Sequence, residues 1–243
     1  MSRLRFLCFN IHGGRSLDGQ RDLRRIHQLM ERMEIDVGVI QEMETRPGRG
    51  GLVDDVQKLA GPERPYHLAC PSMVEAEGWY GNLIVSHYPI VRGLIHNLET
   101  HPSMEPRMAA DALIQGPHGN IRVIGTHLSL SIYERKSEAR NLIRLIKAVE
   151  EEVKTPLLLM GDINEWQRPS ALLRFLDGHL TPVPCKATFP SVCPLLRLDR
   201  VWYEAAKYPA PPINITAQRL YDKDIRRLSD HLPVVVELAW PEN

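Results

Sequence analysis

The chain has 243 residues, 43% apolar and 25% charged, a composition that excludes collagen-like repeats, disordered tails and short disulfide scaffolds. At this length roughly 70–75% of the surface of the unfolded chain can be buried, so a core forms without staples. The 30 Lys and Arg equal the 30 Asp and Glu, and non-specific nucleic-acid binding, which draws on a surplus of phosphate-neutralising cations, finds no general surplus here.

In chain order, Leu4, Phe6 and Cys8 alternate with Arg3, Arg5, Leu7 and Phe9, which predicts a strand with at least one buried face. It ends at Asn10, before the flexible Gly13-Gly14. From Leu23 the residues Ile26, Leu29, Met30 and Met33 recur at helical spacing, and the apolar run 37–40 reads as a buried strand. Strand, helix, strand marks an α/β unit. Residues 80–86, 89–96, 109–115 and 121–126 are short β-type runs whose Tyr-Pro, Gly-Pro and His-Gly punctuation predicts antiparallel hairpins. Ser131-x-x-Glu134 has the form of a capping box, and Ala139, Leu142, Leu145, Ile146, Val149 and Val153 then make one helical stripe. Pro156 stops that helix before a strand at 157–160. Residues 200–203 and 232–238 read as the last strands. With no repeat, low-complexity tract or long linker, residues 1–243 read as one domain of helices and largely antiparallel strands.

Cys8, Cys70, Cys185 and Cys193 form no Cys-x-x-Cys pair and are too sparse for a secreted disulfide framework. The opening residues lack a signal-type apolar core, and no apolar run is long enough to span a bilayer. The expectation is a cytoplasmic, soluble, monomeric protein.

Polar residues recur at the tips of the expected strands. Asn10 closes the first, Glu42 follows 37–40, His127 follows 121–126, and Asp162 and Asn164 follow 157–160. Asp199 precedes 200–203, and Asp230-His231 precedes the last strand. In a mixed sheet the C-terminal tip of one strand lies beside the start of an antiparallel neighbour, so these groups can share a rim. Bringing Glu42, Asp162, Asp199 and Asp230 together sets like charges against one another at several kcal/mol, about 4 per close pair at an effective dielectric of ~20, and calls for a cation. Carboxylate and amide oxygens, with no cysteine and no His pair at zinc spacing, suit Mg²⁺ or Mn²⁺. Such ions accept phosphate oxygens readily, which points to phosphoryl chemistry.

The ordered series Phe-Asn10, Gln-Glu42, Gly-Asn82, Gly-Thr-His127-Leu, Gly-Asp162-Ile-Asn164, Leu-Asp199-Arg-Val-Trp and Ser-Asp230-His231 resembles the endonuclease/exonuclease/phosphatase superfamily, from residue 6 to 238. That superfamily includes deoxyribonuclease I, exonuclease III-type abasic-site endonucleases, neutral sphingomyelinases and inositol polyphosphate 5-phosphatases. The resemblance implies a four-layer α/β/β/α sandwich of two packed, largely antiparallel sheets. It also implies hydrolysis of a phosphate ester by direct attack of water. Glu42 resembles the principal metal ligand, with Asn10 and Asp230 lending an oxygen directly or through water. His231 resembles the catalytic histidine, Asp199 the carboxylate that orients it, and Asp162 and Asn164 the pair that positions water and phosphate. His127 sits where some members place a second histidine, Asn82 stands as a phosphate contact, and Arg107 reads either as a second phosphate contact or as a surface salt bridge. Asp162 and His231 are joint candidates for the base.

The segment after His127 and the surroundings of Asn82 resemble compact bacterial members of unassigned substrate, and sphingomyelinase-like ones, more than the DNA-repair branch. The leading expectation is a Mg²⁺-dependent phosphodiesterase. The alternatives are a silent phosphate-binding module of the same fold, a nuclease or a phosphomonoesterase; nucleic acid is disfavoured by zero net charge. His87, His96, His101 and His118 lack ligand spacing and read as surface residues, and Arg219, Lys223, Arg226 and Arg227 read as a solvated basic face.

Overall fold

The computed structural model describes residues 2–98, 105–150, 155–167, 169–204 and 214–241. β1 (Ser2–Asn10) is buried on both faces: Leu4, Phe6 and Cys8 enter one core, Leu7 and Phe9 another. The second core is closed by α1 (Leu23–Arg32), which starts at Asp22, whose carboxylate accepts the Arg24 N–H, and buries Leu23, Ile26, Leu29 and Met30. β2 (Val37–Glu44) then runs parallel to β1. A strand that returns through a helix is covered on both sides, which is why 37–40 shows no polar alternation.

After α2 (Asp55–Ala60), β3 (Tyr66–Glu75) and β4 (Gly78–Ser86) complete one half. β5 (Ile90–Asn97), β6 (Met108–Gly116), β7 (Gly119–His127), α3 (Ile132–Glu150) and β8 (Leu157–Asp162) build most of the other. α4 (Ala171–Asp177), β9 (Thr181–Val183), β10 (Asp199–Glu204), β11 (Asn214–Arg219) and β12 (Val234–Trp240) finish both. The sheets have six strands each, in the orders β11-β12-β1-β2-β4-β3 and β5-β6-β7-β8-β10-β9. Each is mixed: β1–β2 and β7–β8 are parallel and the other pairs antiparallel. Phe6, Val39, Ile84, Ala112, Val123, Met160 and Val236 pack the sheets face to face. α1 and α2 cover the outer face of the first sheet, α3 and α4 that of the second, giving the four-layer α/β/β/α sandwich.

The chain departs from the expected hairpins between β4 and β5, which lie in different sheets. β4 instead pairs with β3, an edge strand hidden in the sequence by Pro71, where the register shifts before Met73. α2, α4, β9 and β11 were also not signalled, being short or irregular in pattern. The capping box does not close: Ser131 N–H donates to Ser129 Oγ, and the Glu134 carboxylate accepts from that same hydroxyl. The α3 stripe from Ala139 to Val149 is apolar and inward, while Val153 lies outside the described residues. His101 lies outside them too.

His96 is not the surface residue expected. Its Nε2 stands 2.9 Å from Asp111 Oδ2, and Arg122 donates to both oxygens of the same buried carboxylate at 2.9 and 2.6 Å. Burial opposes the charge, yet Arg122 and His96 hold the Asp111 carboxyl below its ordinary value. Removing one partner of such a buried pair costs about 3–5 kcal/mol. The period-2 pattern of β5 concealed this, because an edge strand with one half-buried face looks amphipathic whatever its inward polar residue does.

Candidate active site

Parallel strands β1, β2, β7 and β8 end at one rim of the sandwich, and their antiparallel neighbours β12, β4, β6 and β10 begin there. The register places His127 and Asp199 each opposite Asp162. Three rim residues have left-handed backbones, His12 (φ +49°), Glu42 (φ +59°) and Asn164 (φ +53°), a region costly for residues with a Cβ and held only when surrounding structure over-determines it. Glu42 sits in a bulge of β2 between Ile40 and Met43, and the bulge re-aims its side chain.

Asn10 links the two sheets. Its Nδ2 donates to Glu42 Oε1 at 2.8 Å and to Asp162 Oδ2 at 3.0 Å, while its Oδ1 accepts the His12 backbone N–H at 3.1 Å. Two carboxylates around one nitrogen fix the amide orientation. Asn10 thus faces Glu42 with its nitrogen and turns its side-chain oxygen to the His12 N–H. Ser229 Oγ reaches the Asn10 carbonyl at 2.8 Å and carries the Asp230-His231 turn to the tip of β1.

Asp162 is central. One oxygen accepts the Asn164 N–H at 3.0 Å; the other lies 3.6 Å from His127 Nε2 and 3.5 Å from His231 Nε2. Burial raises the Asp162 carboxyl above its ordinary value, with Asp199 adding to the rise and the histidines opposing it. His231 Nδ1 is 2.9 Å from Asp199 Oδ2. Burial acts against its charge, but Asp199 and then Asp162 and Asp230 outweigh that and hold it up to about 10. His127 is pushed down to about 4 by burial, with Arg107 and His231 assisting and Asp162 opposing. Asn164 Nδ2 donates to the Leu128 carbonyl at 2.9 Å, which sets its amide, and meets His127 Nε2 at 3.0 Å. His127 therefore receives a hydrogen bond there as a neutral ring.

Asn82 Nδ2 donates to the Met108 carbonyl at 2.9 Å across the sheets. It lines, with Arg107, Glu42, Tyr80 and His127, a shallow surface depression. Arg107 donates to Glu105 Oε2 at 3.1 Å and leaves its buried Nε without a partner among the described residues, a donor suited to an anion. All ten residues singled out in the sequence are therefore at this rim.

Sequence reasoning did not select His12 or Arg135. Arg135, on α3 and wholly buried, donates to the Ser129 and Leu130 carbonyls, stacks 4.8 Å from the Trp166 ring and lies 3.8 Å from Glu165. It ties the loop after His127 to the loop after Asp162. Its only sequence signal was a basic residue inside an otherwise apolar helical face.

The profile of the Endonuclease/Exonuclease/phosphatase family matches residues 7–231. The chain belongs to this family. It is 30% identical over 173 residues to the Escherichia coli K12 protein described as uncharacterized protein YbhP, an alignment covering 68% of this chain and 65% of that one. Its fold is shared with the Bacteroides thetaiotaomicron mannosyl-6-phosphatase Bt3783, at TM-score 0.76 and 17% identity, over 98% of this chain and 100% of that one. It is shared also with D. rerio TDP2 humanized by 14 mutations, at TM-score 0.72 and 18% identity, over 98% and 99%. The rim is rich in acids: Glu42, Asp162, Asp199 and Asp230 face one histidine held protonated and one held neutral. The side chains of Glu42 and Asp230 are 21% and 38% exposed against 2% for Asp162, and Asp162, Asp199 and His231 each bring a donor atom within 4.8 Å of one another, a group able to hold a metal ion. No helix among the described residues is long and apolar enough to cross a membrane.

Proposed function

We propose that this member of the family is a divalent-metal-dependent phosphodiesterase in which water attacks phosphorus directly. The observation that carries the reading is the placement of Asp162 between a protonated His231 and a neutral His127, with two open carboxylates alongside. Glu42 and Asp230, with Asn10 adjacent, would hold Mg²⁺ or Mn²⁺, which when bound supplies Lewis-acid stabilisation of the phosphoryl oxygens.

The chain's own groups do the rest. Asp162 orients water and accepts its proton, a role favoured by a carboxyl raised through burial. His231, held charged by Asp199, lies against the phosphoryl oxygens as negative charge builds there. Asn82 and Arg107 contact the phosphate from the depression beside Glu42. Burial keeps His127 neutral, and Asn164 Nδ2 fixes its ring by donating to Nε2. The reading takes the protein as a monomer in the cytoplasm, a compartment favoured by the free thiols of all four cysteines, and its ester as other than duplex DNA, supported by balanced charge.

Bis-p-nitrophenyl phosphate is the first substrate to assay, with p-nitrophenyl phosphate beside it because one fold neighbour is a mannosyl-6-phosphatase. EDTA should abolish cleavage and Mg²⁺ or Mn²⁺ restore it. Glu42→Ala and His231→Ala should each lower turnover ~10²–10⁴-fold with the circular dichroism spectrum unchanged. Full activity in EDTA, or wild-type rates in both variants, overturns the reading. A panel of DNA, RNA, sphingomyelin, phosphoinositides and small diesters then defines the substrate.

A further inference from the structure

Leu130, Tyr133, Trp166, Val192 and Leu195 are large apolar side chains that face solvent beside the rim, with exposures from 43% for Trp166 to 87% for Tyr133. They sit on the loop after β7, the loop after β8 and the turn before β10, all at one end of the second sheet. Scattered singly, exposed apolar residues mean little. These three segments are joined. Arg135 stacks on Trp166 and donates to the carbonyls of Ser129 and Leu130, and the Ile163 N–H donates to the Leu198 carbonyl at 2.9 Å.

The turn is an apolar finger. The N–H groups of Thr188 and Phe189 donate to the Leu196 carbonyl at 2.9 and 3.0 Å, closing its base, and Val192, Cys193 and Leu195 are exposed at its tip. The Ser191 N–H donates to the Asp230 carbonyl at 2.7 Å, and the Phe189 ring lies 4.9 Å from that of His231. The finger is thereby fixed to the segment that carries Asp230 and His231. Cations flank this apolar surface: Lys136 and Arg140 line a groove between α3 and α4 with Leu172 and Phe175, and Lys186 precedes the turn. All three are exposed and make no ion pair among the described residues.

We propose that this apolar arc docks the protein on an anionic phospholipid surface, so that the ester taken at the rim is held in a lipid headgroup. The substrate half rests on the phosphodiesterase reading above; the docking half does not. A bilayer presents phosphates at the edge of an apolar medium, which matches acids and histidines bordered by apolar loops, and its negative charge complements the unpaired cations. Tyr133 and Trp166 suit such a boundary, with an apolar ring and a polar edge.

Flotation of the full chain with vesicles of phosphatidylcholine, with and without phosphatidylglycerol, tests docking in EDTA, where hydrolysis does not enter. The wild type should float with the phosphatidylglycerol vesicles, and its tryptophan emission should shift to the blue, a shift lost in Trp166→Phe. Tyr133→Ser combined with Leu195→Ser should weaken binding about tenfold or more while leaving turnover of bis-p-nitrophenyl phosphate unchanged. Lys136→Glu with Arg140→Glu should remove the preference for phosphatidylglycerol. No flotation with either vesicle, or flotation unchanged in the Tyr133→Ser, Leu195→Ser variant, overturns the docking. So does a wild-type dimer that fails to float and that the same variant dissociates, which assigns the arc to a second copy of the chain. With Mg²⁺ or Mn²⁺, water-soluble phosphate should be released from vesicles of these lipids or of ones carrying sphingomyelin or phosphoinositides. Flotation without such release, by protein that cleaves the soluble diester, overturns the lipid as substrate. Flotation by protein that cleaves no diester upholds the docking and overturns the phosphodiesterase reading.

Discussion

The regions around His127 and His231 make a controlled comparison. Each histidine sets Nε2 about the same distance from the same Asp162 oxygen, 3.6 and 3.5 Å, and each is buried. Burial opposes charge in both, yet one is pushed down to about 4 and the other held up to about 10. Their other partners differ. His231 meets the Asp199 carboxylate at 2.9 Å, whereas His127 meets the Asn164 amide at 3.0 Å and faces the positive charge of Arg107. A shared carboxylate does not decide protonation when a second partner contributes a full charge at hydrogen-bond distance and its counterpart contributes only a dipole.

Breaking the charged side should have the largest effect. Asp199→Asn removes the carboxylate but keeps the shape, so His231 falls from about 10 towards or below its ordinary 6.5, and turnover drops ~10²–10⁴-fold. NMR titration of His231 beside kinetics on the diester checks both, and a histidine that does not move refutes the account. Asn164→Asp tests the converse by giving His127 a carboxylate. His127 should then rise from about 4 by a unit or more, each unit being about 1.4 kcal/mol of altered preference between its charged and neutral forms.

Stability should carry the same contrast with opposite slopes. His127, lowered in the fold, contributes stability that is present above its unfolded value of 6.5 and lost as pH falls through about 4. His231, raised in the fold, contributes stability that is complete below 6.5 and lost as pH rises through about 10. Urea denaturation across pH should show His127→Gln flattening the acid limb and His231→Gln the alkaline limb; the reverse assignment contradicts the comparison. The smallest effect is expected at Trp166→Leu, which removes the contact with Arg135 between the loops behind the two regions and should cost about 0.5–1 kcal/mol.

Much of this was legible in the chain. Asn10, Glu42, His127, Asp162 and Asp199 each abut an apolar run of alternating or continuous pattern, and strands have no use for such residues at their ends unless the ends face a site. β3 was not legible, because Pro71 and a register shift break its period, nor was the separation of β4 from β5, because a short connection between antiparallel runs looks alike whether it returns beside its neighbour or crosses to another sheet. His12 was hidden for a related reason. Its spacing carries no pairing signature, since its ion-pair partners Glu42 and Asp230 come from remote segments.

Residue type and local period alone determined the βαβ start, the long amphipathic helix and the polar strand tips, since these follow from side-chain chemistry and from periods of 2 and 3.6 that any stretch displays by itself. Which histidine is charged, which face of Asn10 meets Glu42, and where His12 points were decided by tertiary structure. Proton affinity and donor placement depend on distances of a few ångströms between groups far apart in the chain, and those distances exist only once β8 and β10 are in register and the two sheets have closed on each other.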